Sequence, residues 1–168
     1  GNLFGAKYDV LLYDLTSTYF ESDPPAVGSG SKKRFGYSRD KRSDCVQVVV
    51  ALVLTPEGFP VAYEVYPGNT RDTATLEEFL DRIEKQYGKS RRTWLMDRGI
   101  PTGKTLEKMR SRGVDYLVGT PKGHLTHFEK QLLEQPWIQA RESVRVKILP
   151  QESEFYVYVE SHDRVAKE

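Results

Sequence analysis

The chain has 168 residues, a formal net charge of +1, 38% apolar residues and 29% charged residues. That length suits one domain with a core of its own, and the near-neutral charge excludes a global electrostatic pull on nucleic acid. No apolar run approaches the roughly 20 residues needed to cross a bilayer, and the N-terminus lacks a basic-then-apolar signal. Cys45 is the single cysteine, so an internal disulfide is excluded and a reducing, cytoplasmic setting is expected. Gly1 is not a natural initiator and the chain stops in the charged stretch Asp163 to Glu168. Both suggest a piece of a longer protein.

Tyr8 to Phe20 begins as a buried apolar run and ends in period-two alternation, which predicts a long strand rich in Tyr, Thr and Leu. Period two puts Asp14, Thr16 and Thr18 on one face, and Tyr13, Leu15 and Tyr19 on the other. Glu21 to Ser31 is loop-like in composition, and Lys32 to Asp44 is strongly basic around a central Gly-Tyr-Ser. Val46 to Leu54 is almost wholly apolar and predicts a central strand. Thr55 to Gly58 has turn chemistry, and Phe59 to Tyr66 returns, which makes an antiparallel hairpin. Pro67 to Thr70 breaks it.

Asp72 or Thr73 is suited to cap the next helix, whose stripe is Leu76, Phe79, Leu80 and Ile83, with Gly88 as its stop. Thr93 to Met96 predicts a short buried strand ending at Asp97. Thr102 to Arg112 predicts a second helix stopped by Gly113, and Asp115 to Val118 another short strand. Phe128 to Gln135 reads as a short helix. Ser143 to Leu149 alternates, Pro150 to Glu154 turns, and Phe155 to Glu160 runs back as a second hairpin. Three strands followed by alternating helix and strand imply an α/β fold, a mixed sheet with helices on both faces.

In such a sheet the first strand and the strand after the first helix can lie side by side in parallel, which would put Asp14 next to Asp97. Two carboxylates at one sheet edge repel unless a cation is shared. Mg²⁺ suits such a pair, because it is hard, takes oxygen ligands and often uses one or two protein carboxylates plus a substrate phosphate. Two such ions about 3.5–4 Å apart would clamp a phosphodiester. The plainer alternative is that Asp14 and Asp97 are unrelated acids at loop edges.

Three stretches carry a resemblance: YDLTSTYFE, FGYSRDKRSDCVQVVVALVLTPEGFPVAYEVYPGNT and WLMDRGIPT. Together they resemble the catalytic domain of the DDE transposases of bacterial insertion sequences, in the group related to insertion sequence 4. The resemblance implies a ribonuclease-H-like fold over about residues 8–120, with about 121–168 adding a helix and a β-hairpin that begins an insertion, all within one truncated catalytic domain. It implies that Asp14 and Asp97 are the first two catalytic, metal-binding acids. It implies Mg²⁺, with Mn²⁺ able to substitute, and DNA as partner, both element ends and target. The implied chemistry is strand cleavage at the element end, then attack of the freed 3′-hydroxyl on target DNA, with two subunits in a synaptic complex.

The third acid departs from the pattern. The family's glutamate follows a Tyr, two residues, Arg and three residues, and this chain has Val159 three after Tyr156 and Ser161 three after Tyr158. The glutamate is therefore expected beyond Glu168, which would leave these residues inactive alone. Glu142, Glu160 and Glu168 are rivals without a motif.

Lys32, Lys33, Arg34, Arg39, Lys41 and Arg42 crowd one loop and, beside a matched site, are expected to contact DNA phosphates, as is Arg98. A solvated charged loop is the alternative. Phe35 and Tyr37 are expected to anchor that loop on the sheet, and Asp40 and Asp44 to pair with its cations. Asn69 and Thr70 resemble a family motif but also fit a turn and helix cap. His124 and His127 lack partners for a zinc site and read as loop residues. A nuclease of the same fold, or a non-enzymatic nucleic-acid-binding domain, are the rival functions.

Overall fold

The computed structural model describes residues 9–37, 40–71, 75–89, 91–97, 99–120 and 122–165, with backbone alone at 122–125, 164 and 165. The chain forms two compact units, residues 1–119 and 120–168.

The first unit holds β1 (Val10–Phe20), β2 (Val46–Leu54), β3 (Pro60–Pro67), α1 (Leu76–Tyr87), β4 (Thr93–Met96), α2 (Gly103–Ser111) and β5 (Asp115–Val118). The strands make one sheet in the order β3-β2-β1-β4-β5. β1 and β2 pair antiparallel, as do β2 and β3, while β4 runs parallel to both β1 and β5. A three-strand meander extended by two parallel strands through helical crossovers is a ribonuclease-H-like topology.

Alternation along β1 sets the core. Leu11, Tyr13 and Leu15 are buried, in register with Val53, Ala51, Trp94 and Met96 of the flanking strands. α1 lays Leu76, Phe79, Leu80 and Ile83 on this face, with the Phe79 ring centroid 5.3 Å from that of Tyr13. α2 adds Met109 and Leu106 to the same cluster. Lys108 of α2 pairs with Glu77 of α1 at 2.8 Å, and Arg112 with Asp81 at 2.8 Å.

Both helices therefore lie on one face, where helices on both were expected. The strand order supplies the reason. β3 is parallel to β4, and β4 to β5, so α1 and α2 are successive parallel crossovers stepping in the same direction. Right-handed crossovers of that kind fall on the same side of a sheet. The opposite face carries Leu12, Asp14 and Thr16 with Leu52, Leu95 and Leu117, and Leu117 is 53% exposed.

The helix ends follow local chemistry. α1 has Thr75 as its N-cap residue, but the Thr75 hydroxyl bonds the Tyr13 hydroxyl at 2.6 Å rather than a helix N–H. The expected caps, Asp72 and Thr73, lie outside the described residues. Gly88 ends the helix at φ 76, a backbone conformation that favours glycine. Buried Arg92 donates to the carbonyls of Gly88 (2.7 Å) and Tyr87 (3.1 Å), satisfying the last turn. Thr102 caps α2 by accepting from the Thr105 N–H at 3.2 Å.

The second unit holds α3 (Lys122–Glu134), β6 (Ile138–Arg141), β7 (Val144–Pro150), β8 (Phe155–Ser161) and α4 (His162–Val165). The expected hairpin is present as β7 and β8, and β6 widens it to a three-stranded antiparallel sheet. α3 begins at Lys122, six positions before the expected start at Phe128, so His124 and His127 are helical and not in a loop. Phe128 stacks on Tyr156 at 4.4 Å, and Lys147 donates to the Leu133 carbonyl at 2.6 Å, which seats α3 on its sheet.

The one-faced core predicts unequal costs for two apolar truncations. Phe79→Ala should lose about 3–5 kcal/mol in urea unfolding with an unchanged m value. Leu117→Ala, on the opposite face, should lose less than about 1 kcal/mol.

Candidate active site

β1 has 11 residues and β4 has four. Their parallel pairing runs from Val10 opposite Thr93 to Tyr13 opposite Met96, and there it stops. The next residue on β1 is Asp14 and the next after β4 is Asp97. Met96 faces the core, and Asp97 beyond it is exposed, as is Asp14. Asp14 remains in the sheet opposite Leu52 of β2, and its Oδ1 accepts the Leu15 N–H at 2.8 Å. Asp97 leaves the sheet in a turn in which its carbonyl accepts the Ile100 N–H at 3.2 Å.

The donors at this strand end are carboxylate oxygens, the ligand class that Mg²⁺ and Mn²⁺ take. The pair therefore fits a hard divalent cation. Among the described residues, no group of three or more His, Cys, Asp or Glu is placed to hold a metal. Of the rival third acids, Glu160 is paired with Arg145 in the second unit, its Oε1 accepting from Nε at 2.7 Å. Glu142 stands exposed in the β6–β7 turn, and Glu168 lies outside the described residues.

Because β1 continues past the end of β4, its edge borders a cleft of about 690 Å³. Leu15, Thr16 and Ser17 of β1 line it, with Tyr37, Arg71 and Gly99 from three loops. Gly99 is two residues after Asp97, and Leu15 one after Asp14, so the cleft adjoins both acids along the chain.

The basic loop is held beside this cleft by its backbone. Arg34 and Gln47 exchange backbone hydrogen bonds at 2.9 and 3.0 Å, and the Gly68 N–H donates to the Lys32 carbonyl at 3.0 Å. The buried Gln47 side chain closes the junction, with Nε2 donating to the carbonyls of Gly68 (2.8 Å) and Tyr37 (2.9 Å). Gly36 and Gly68 cross so tightly that a Cβ on Gly36 would overlap the Gly68 carbonyl, and one on Gly68 would overlap the Gln47 carbonyl. Only glycine permits this approach.

The expected DNA-contacting cations separate into two groups. Lys32 is occupied by Glu64 (3.4 Å) and the Val65 carbonyl (2.6 Å). Arg42 is clamped by Asp44 (2.9 Å) and Glu21 (2.7 Å) and lies over the Tyr19 ring at 5.0 Å. Lys33 sits over the Phe20 ring at 4.2 Å. Arg34 and Lys41 are exposed and, among the described residues, stand in no ion pair. Arg39 and Arg98 lie outside the described residues.

Phe35 and Tyr37 do not anchor the loop with their rings, which are 52% and 89% exposed. The Tyr37 carbonyl does that, through Gln47. A polar Gln in the otherwise apolar VQVVVALVL run was the sequence signal for this junction. Thr70 accepts the turn role expected of it, its N–H donating to the Pro67 carbonyl at 2.9 Å.

The chain matches the family model described as the transposase DDE domain over residues 5–154. No curated protein matches it. Among solved structures it is similar to a cryo-EM structure of a piggyBac transposase synaptic complex with hairpin DNA, at 13% identity and a TM-score of 0.47. That match covers 92% of this chain and 33% of the other, so the chain spans about a third of that protein's length.

The Arg42 clamp yields a pH prediction. Hydrogen bonds from the Arg42 guanidinium and its own backbone N–H hold the Asp44 carboxyl down to about 2, from an ordinary 3.8. A depressed carboxyl stabilises the fold above its unfolded value, and that contribution is lost as pH falls through the folded one. The window is therefore between about 3.8 and 2. An NMR titration should find the Asp44 midpoint near the lower figure, returning toward 3.8 in Arg42→Ala.

Proposed function

We propose, for a chain that belongs to the transposase DDE domain family, that Asp14 and Asp97 hold Mg²⁺ and serve cleavage and strand transfer of DNA in the movement of an insertion sequence. The observation that carries the reading is the parallel β1–β4 pairing that ends one residue before each acid. Among the described residues, no other strand pair of the large sheet ends with an acid on both strands at one edge. The resemblance to transposases of the insertion sequence 4 group adds a bacterial, cytoplasmic setting to the proposal. Among the described residues no helix is long and apolar enough to cross a membrane.

Mg²⁺ at the pair would make an attacking water or hydroxyl more acidic and neutralise charge on the phosphate oxygens. Asp14 and Asp97 would hold it from two backbones fixed in register. The Leu15 N–H on Asp14 Oδ1 orients the first carboxylate, and the Asp97–Ile100 turn fixes the backbone at the second. Chemically, hydrolysis breaks the bond between phosphorus and the 3′-oxygen as a water oxygen joins phosphorus. Transfer would then join the freed 3′-oxygen to a target phosphorus as that phosphorus loses its bond to the target 3′-oxygen, which leaves as a hydroxyl carrying the proton given up by the attacking group.

Lys33, Arg34 and Lys41 are the cations we assign to DNA phosphates, with Arg39 and Arg98 retained from the sequence. Arg42 and Lys32 serve the loop instead, because carboxylates already match their charge. The third ligand is assigned to a glutamate beyond Glu168, in the family pattern. Both units are read as parts of one catalytic domain. Element ends and target DNA are the partners, and two subunits join in a synaptic complex.

In the full-length protein, Asp14→Asn and Asp97→Asn should each reduce metal-dependent strand cleavage at least about a hundredfold, the scale of a lost metal site. Metal-free duplex binding should be unchanged in both. Cleavage that persists in the double variant would overturn the assignment, and robust strand transfer by residues 1–168 alone would overturn the placing of the third acid.

A further inference from the structure

A sheet edge is a row of unpaired N–H and C=O groups, and folds protect such rows with short strands, prolines, bulges or covering side chains. Three edge strands of this chain are protected in that way. β5 and β6 have four residues each, and the β6–β7 register is interrupted between Gln139 and Arg141. β3 has a proline at each end, Pro60 and Pro67. Its outer carbonyls are also covered. Tyr87 Oη donates to Val61 at 3.3 Å, Arg82 Nη1 to Tyr63 at 3.1 Å and Lys32 Nζ to Val65 at 2.6 Å.

β8 is the remaining edge strand, and among the described residues it has none of these devices. Its seven residues include no proline, glycine or lysine. Main-chain bonds at its two ends show which way its groups point. The His162 N–H donates to the Ser143 carbonyl at 3.0 Å, and the Glu154 carbonyl accepts from the Gln151 N–H at 2.9 Å. Alternate residues of an antiparallel pair turn toward the neighbouring strand, so the even-numbered positions face β7. The backbone groups of Phe155, Val157, Val159 and Ser161 therefore point outward. The side chains of these four lie on one sheet face with Val146 and Ile148, and Phe155, Val157 and Val159 are exposed there.

The strand is nearly symmetric in chemistry about its middle. Tyr158 is flanked by Val157 and Val159, then by Tyr156 and Glu160, then by Phe155 and Ser161. An antiparallel copy centred on Tyr158 would give every outward N–H and C=O a partner. Val157 would pair with the partner's Val159, and Phe155 with the partner's Ser161. Centring on Val157 or Val159 instead would leave an end residue unpaired. The central register also sets Glu160 opposite the partner's Tyr156, so that two carboxylates do not meet across the strands, where like charges are unfavourable.

We propose that β8 is a self-association edge, through which two copies of this chain join antiparallel about Tyr158 into one six-stranded sheet. Such an edge is isologous, so the assembly closes at two copies. One strand edge is a small contact beside the roughly 800 Å² per partner of a stable complex, which makes the dimer reversible and concentration-dependent. The contact uses neither metal nor DNA, and so goes beyond the synaptic pairing proposed above.

The test is sedimentation equilibrium of the full-length protein, free of DNA and divalent metal, which should show a monomer–dimer equilibrium. Val157→Lys should raise its dissociation constant about tenfold, because a lysine replaces one valine in each of two cross-strand pairs. Val157→Lys combined with Val159→Glu should restore it, because each lysine then faces a glutamate of the other copy. Tyr158→Cys should cross-link under mild oxidation, since the residue on the axis faces its own copy across a pair about 4.5 Å apart at Cα. Val157→Cys should not, because it faces a valine.

A protein that is monomeric at every concentration overturns the proposal, as does a dimer that Val157→Lys leaves intact. A double variant that stays monomeric, or cross-linking by Val157→Cys equal to that by Tyr158→Cys, overturns it through the register. Association only when DNA is added overturns it too, while leaving the DNA reading in place.

Discussion

The first unit depends on one pairing, that of β1 with β4. β1 and β4 run parallel for four residues, and both reach an aspartate at the next position. Neighbouring strands in a sheet are about 4.8 Å apart, and parallel register allows no slip without exchanging faces. The strands are held in place by burial of Leu11, Tyr13, Trp94 and Met96 beneath α1 and α2. The helix-covered face thus determines the geometry of the face that carries Asp14. Asp14 costs little where it is because its face is open and its own strand supplies an N–H.

The short length of β4 matters as much as its direction. A longer β4 would have paired the edge of β1 beyond Asp14, and no cleft would adjoin the acids. The loop carrying Lys32 to Tyr37 instead approaches the other edge of β2, where Gln47 and the Gly36–Gly68 crossing hold it. Three loops therefore meet at one end of the sheet, each tied to a strand through its backbone. Lys32 is spent on holding the loop, while Arg34, Phe35 and Tyr37 are exposed.

Much of this was legible in the sequence, because its signals are local. The alternation in Tyr8 to Phe20, the hairpin turn at Thr55 to Gly58 and the Leu76-to-Ile83 stripe each specify an element without reference to the rest of the chain. Asp14 and Asp97 stood out as acids at the ends of apolar runs. What was not legible required long-range information. That both helices share a face follows from the strand order, which no local period reveals. β6 is only four residues, all of them exposed, and its pairing is visible only once β7 is in place. Tyr37 misled because aromatic character suggests burial, whereas its main-chain carbonyl makes the anchor. Arg42 was expected on DNA phosphates; its pairing with neighbouring Asp44 was open to local reading, but its second partner, Glu21, lies 21 positions away.

The most direct test of the central claim is a Mn²⁺ titration of the chain, followed by paramagnetic line broadening in NMR, with Asp14→Asn and Asp97→Asn as controls. The account predicts broadening centred on both acids and their strand neighbours Tyr13 and Met96, lost in either variant. Broadening centred elsewhere, or unchanged in the variants, would mean that the two carboxylates do not share a metal, and the catalytic reading would fall with them.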